Sequence, residues 1–125
     1  MTDSSSDIPP ELAQEFGIEI VPLTVIIDGK EYAEGVTVDP SSFASMMRQS
    51  VDLPRTSQPS PHAFITAFER AASTANKAAE VLCITLSSKL SGTFQSACTA
   101  RDLFKGTARV IDSRSGPLGL GLMVL

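Results

Sequence analysis

The sequence predicts an α/β domain built on a parallel sheet. Two apolar runs, "AEVLCITL" at residues 79–86 and "ARVID" at 108–112, alternate with patterns of helical spacing. Strand, helix, strand in that order is built with right-handed crossovers. The 125 residues are enough for one core and too few for two. Loops rich in hydroxyls and glycine follow both runs, "SSKLSGTFQSA" after the first and "DSRSGPLGLG" after the second. In open parallel sheets these carboxyl ends are where ligands gather.

Taken in order, "DIPPELAQEFG" is expected to be a short helix capped by Asp7, with its prolines in the first turn, Gly17 as the stop and Ile8, Leu12 and Phe16 on its apolar face. "IEIVPLTVIIDGKEYAEG" reads as a strand, a bend at Pro22 and a hairpin turning at Asp28-Gly29. A helix starts after Asp39 with Pro40 first, and Phe43, Met46 and Met47 are expected to face inward. "DLPRTSQPSP" holds three prolines in ten residues and is loop or extended chain. Residues 60–77 form a helix whose apolar face is Phe64, Ala67, Phe68 and Ala71. The run at 79–86 is expected to be a strand covered on both faces. Phe94, Ala97, Ala100, Leu103 and Phe104 outline the next helix.

Both ends read as cut. A first strand is expected before "TDSSSD", yet only Met1 and Thr2 stand near it, and "GPLGLGLMVL" begins an apolar helix of about two turns. The chain is therefore expected to be part of a longer protein.

Composition removes several functions. The net charge of −4 and the scattering of the ten basic residues leave no surface for nucleic acid. No run of 18 apolar residues exists and the opening resembles no leader, so a cytoplasmic protein without a membrane span is expected. Cys83 and Cys98 fit no CxxC spacing and read as small buried side chains. His62, the single histidine, reads as a solvated residue of a first helical turn.

The chemistry concentrates in residues 85–96, which carry six Ser or Thr, one glycine and one lysine, and no Asp, Glu or His. Hydroxyls and unpaired N–H groups at a helix start favour an anion, and Gly92 lets the backbone approach it. The alternative is that Ser91 or Thr93 only caps the following helix. A phosphate loop is disfavoured because Lys89 precedes the glycine. A serine hydrolase would need His62 brought in as base, and the loop is not GxSxG. Asp3 and Asp7 cap helices more readily than they bind metal, so neither metal nor cofactor is expected. Gly116, Gly119 and Gly121 match a dinucleotide fingerprint only loosely and read as small residues for close packing.

In the order "TDSSSDIP", "GIEIVPLTVIIDG", "RTSQPSP", "ITLSSKLSGTFQSA" and "VIDSRSGPLGLGL", the sequence resembles the amino-terminal half of the DegV family, whose members include the fatty-acid-binding subunits of bacterial fatty acid kinases. The resemblance covers residues 1–125 and implies a partial DegV amino-terminal α/β domain, with the first strand and the carboxyl-terminal domain missing. It further implies a carrier that is not itself an enzyme. Such a carrier holds a long-chain fatty acid by its carboxylate and presents it to the catalytic subunit of a fatty acid kinase, which makes the acyl phosphate used in phospholipid synthesis. Matching the family's motifs, Thr56 of TSQPS and Ser91 of LSGT are the expected carboxylate contacts, with Ser57, Gly92 and Thr93 in support. A serine-nucleophile hydrolase and a non-functional fragment are the alternative readings.

Overall fold

The computed structural model describes residues 1–74 and 80–125. Four strands form a parallel sheet in the order β2-β1-β6-β7: β1 (Thr2–Asp3), β2 (Ile20–Val21), β6 (Val81–Thr85) and β7 (Ala108–Asp112). The α/β architecture and parallel sheet expected from the sequence are what is found. A second, antiparallel sheet has the order β4-β3-β5, with β3 (Thr24–Ile27), β4 (Lys30–Ala33) and β5 (Arg55–Ser57). Pro22 does more than bend one strand, because the chain leaves the first sheet at Val21 and enters the second at Thr24. The hairpin turns where expected: Asp28 and Gly29 both have positive φ, 48° and 75°, the combination a two-residue hairpin loop needs.

The first-strand position is held by the two residues of β1, which lie inside the sheet, between β2 and β6. A 3₁₀ turn follows at Ser4–Ser6, capped by Asp3, whose carboxylate accepts the Ser5 N–H. Asp7 ends this turn in the left-handed region instead of opening the next helix, α1 (Pro10–Glu15), which begins after Pro9 with no side-chain cap. Within α1 it is Ala13 that is buried, and Phe16 beyond its end is exposed. Gly17, at φ 61°, stops the helix as expected.

Helix α2 (Pro40–Gln49) starts as the sequence indicates, with Asp39 accepting the N–H groups of Ser41 and Ser42. Its methionines are not core. Met47 is exposed and Met46 half-buried. The main core lies on one side of the parallel sheet, where Phe64, Ala67 and Phe68 of α3 (Pro61–Thr74) meet Val81 and Cys83 of β6 and Ala97 and Ala100 of α4 (Thr93–Leu103). Residues 75–77 of the expected helix lie outside the described residues. Phe104 closes this core against Phe68 at a ring separation of 5.4 Å, while Leu103 points to solvent.

The opposite side of the sheet is open, contrary to the expectation of strands covered on both faces. Leu82 and Ile111 stay 47% and 45% exposed while Val81 and Cys83, one residue away on β6, are buried. A continuous apolar run does not distinguish the covered face from the open one. The last helix, α5 (Pro117–Val124), packs against the 3₁₀ turn and β6. Its glycines permit the approach: a β-carbon at Gly121 would stand 2.4 Å from the Ser6 carbonyl oxygen.

Candidate functional site

The hydroxyl-rich loop leaves β6 at Thr85 and is folded by its own backbone. Leu90 and Ser91 both donate their N–H to the Ser87 carbonyl, at 2.9 and 3.2 Å, and the Ser87 N–H reaches the Ser115 carbonyl at 3.2 Å. The turn delivers Ser91 to the amino end of α4, where its Oγ accepts the Thr93 N–H at 3.2 Å and lies 2.9 Å from Thr93 Oγ1. Thr93 is fully buried, whereas Ser91 and Gly92 are half-buried. Gly92 holds the N-cap position of α4 without a side-chain cap, so Ser91 lies just outside the helix and bonds its first residue.

The second hydroxyl-bearing segment is a strand. Three residues, Arg55–Ser57, pair with β3, setting Thr56 opposite Val25 and Ser57 opposite Thr24. A segment this short has no periodicity to read, and its pairing uses only backbone groups. Thr56 and Ser57 are exposed at this edge of the sheet. Pro59 is buried, and Ser60 Oγ accepts the Ala63 N–H at 3.2 Å to start α3. Between them Gln58 crosses to the other loop, its side chain lying directly over Gly92. The structure thus brings the TSQPS and LSGT segments into contact through Gln58 and Gly92.

The chemistry of this arrangement is neutral. The hydrogen-bond partners of Ser91 Oγ among the described residues are both on Thr93, and no base is among them. His62 is exposed in the first turn of α3, where its carbonyl accepts the Thr66 hydroxyl. No group of three or more potential metal-ligating side chains occurs among the described residues. Hydroxyls and N–H groups at a helix start suit the binding of an anion.

Two contributors escape sequence reasoning. Gln58 lies inside the TSQPS motif but carries no hydroxyl. Asp112, at the end of β7, accepts the Ser88 hydroxyl at 2.6 Å and the N–H groups of Ser88 and Arg114 at 3.1 and 2.9 Å. These bonds, the Ser88 hydroxyl first, hold the Asp112 carboxyl below its ordinary pKa. They also tie the loops after β6 and β7 across an open depression of about 520 Å³ bordered by Lys89, Leu90 and Arg114. The cysteines take no part. Burial pushes the Cys83 thiol up to about 12, and Cys98 is raised for the same reason.

Comparison with known proteins agrees with this fold. The DegV family model matches residues 1–125. A DegV domain-containing protein of Caldanaerobacter subterraneus is 44% identical over 126 aligned residues, which take in all of this chain and 44% of the relative. Among solved structures, a DegV family protein of Thermus thermophilus described for its fatty acid binding is 38% identical, with a TM-score of 0.85 over 98% of this chain and 43% of that one. DegV of Bacillus subtilis, a fatty acid binding protein, is 30% identical, with a TM-score of 0.86 over 97% of this chain and 42% of that one. The chain spans somewhat less than half the length of these relatives.

Proposed function

The chain belongs to the DegV family, and on that premise we propose that it supplies the head-group half of a fatty-acid-binding protein, with Thr56 and Ser91 as the contacts to the carboxylate. The contact of Gln58 with Gly92 is the observation that carries this reading, because it sets the TSQPS segment against the start of α4, next to Ser91. Ser57, Gly92 and Thr93 support the site: Thr93 orients the Ser91 hydroxyl, and Gly92, lacking a side chain, admits the Gln58 amide over its backbone. A carboxylate held by neutral donors keeps its charge and its nucleophilic oxygens.

That state suits presentation to a kinase. A fatty acid kinase catalytic subunit would transfer a phosphoryl group from its nucleotide to a carboxylate oxygen, giving the acyl phosphate that enters phospholipid synthesis. This protein would act as carrier, not catalyst.

The test is a titration of the chain with hexadecanoic acid and with its methyl ester. Binding of the acid at least about tenfold tighter is expected, the least a charged hydrogen bond contributes. Equal binding of acid and ester, or binding of neither, overturns the carboxylate assignment.

A further inference from the structure

We infer that Gln58 is a specificity-determining residue of this site, its side-chain amide donating a hydrogen bond to the ligand carboxylate from a position that Gly92 leaves open. The inference rests on the proposed function and adds to it a contact from a residue type that hydroxyl chemistry does not point to. Its basis is a packing relationship. A β-carbon at position 92 would stand 2.6 Å from Gln58 Nε2, 2.8 Å from Cδ and 2.9 Å from Oε1, so the whole amide lies flat on the glycine.

Gly92 is not glycine for conformational reasons. Its φ of −74° and ψ of 1° are open to any residue, unlike Gly17 or Gly29, which have positive φ. A β-carbon at 92 would instead displace the Gln58 amide from its place.

Gln58 is exposed, and its amide makes no hydrogen bond to the described residues. A long flexible side chain held over one α-carbon with its donors free is placed to serve something outside the fold. Gly92 directly follows Ser91, so the free N–H groups lie beside the residue next to one proposed carboxylate contact, and Thr56, the other, stands two positions before Gln58 in the chain. An amide suits the task because it donates to a carboxylate while carrying no charge of its own.

The experiment measures binding of hexadecanoic acid and its methyl ester to the full chain and to Gln58→Ala, Gln58→Glu, Gly92→Ala and the double variant Gln58→Ala/Gly92→Ala. Gln58→Ala should weaken acid binding about tenfold and leave the ester unchanged. Gln58→Glu should weaken the acid further, by like-charge repulsion, again sparing the ester. Gly92→Ala should match the loss of Gln58→Ala, and in the double variant it should cost nothing more, since the clash is gone. If the unmutated chain prefers the acid and both Gln58 variants keep that preference, this inference is overturned and the carboxylate site stands. Additive losses in the double variant also overturn it. No preference in the unmutated chain overturns both.

Discussion

Oδ2 of the fully buried Asp3 accepts the Leu86 N–H at 2.8 Å, joining residues 83 positions apart in the chain. One carboxylate thereby fixes the 3₁₀ turn after β1, through Ser5, and the first residue of the hydroxyl loop after β6. Asp3→Ala leaves a buried N–H unpaired and removes a cap, a loss of about 2–4 kcal/mol. Asp3→Asn, which keeps one acceptor oxygen, should lose roughly half as much. Urea unfolding midpoints check both, and an unchanged midpoint for Asp3→Ala would show that the bond does not hold the loops.

The glycines of α5 should separate by the kind of atom they face. Alanine gains up to about 1 kcal/mol over glycine in a helix. At Gly119 the new carbon meets the Ser115 hydroxyl, which can rotate, so Gly119→Ala is expected to be near neutral. At Gly121 it meets the Ser6 carbonyl oxygen, a backbone atom, and Gly121→Ala should destabilise by about 1–3 kcal/mol. Gly116 stands just before α5 at its N-cap with nothing near its β-carbon position, so Gly116→Ala reports the capping preference alone. Equal midpoints for all three variants would refute the close approach of α5 to the 3₁₀ turn.

Acid should weaken the fold in part through Asp112. Its pKa is depressed in the folded state, so its contribution is full above the unfolded value of about 4 and is lost as pH falls through the folded one. Asp39, depressed by the Ser41 hydroxyl and then by bonds from Ser42, acts in the same direction. Ser88→Ala removes the main cause at Asp112 and should make stability less dependent on pH below about 4. Identical slopes in Ser88→Ala and the unmutated chain would contradict this.

Ligand binding should respond to Thr56→Val and Ser91→Ala with losses of about ten- to a hundredfold each, the range for hydrogen bonds to a charged group. Together they should lose less than the product of the single losses, since one carboxylate couples them. Ser88→Ala should bind normally because its hydroxyl is engaged by Asp112. A full-strength Thr56→Val variant, measured by calorimetry with hexadecanoic acid, would remove that residue from the site.

Local chemistry made several elements legible in the sequence: the Asp28-Gly29 hairpin, the Asp39-Pro40 helix start, and the pattern Phe64, Ala67, Phe68. Each is written in a few adjacent residues. What escaped depends on distant partners. Arg55–Ser57 becomes a strand only because β3 offers an edge. Asp7 lost its expected capping role because Asp3 and the 3₁₀ turn claim the chain first. Met47 and Leu103 are apolar and exposed, which spacing alone does not foresee. In the site, Ser91 and Gly92 could be picked out by residue type, but the partner of Gly92 could not, since contact with Gln58 bridges two sheets.

The division of the chain at Pro22 has a consequence for its motions. Leu23, Val25, Ile27 and Val38 are buried around the smaller sheet but stand outside the cluster that Phe64 and Phe68 organise. Two such groups open as separate cooperative units, so amide hydrogen exchange should resolve a slow set in β6 and α4 and a faster one in β3 and β5. Thr56 belongs to the second unit and Ser91 to the first. A molecule gripped by both residues staples the units together, and its arrival should be visible as slowed exchange in the hairpin even far from the molecule itself.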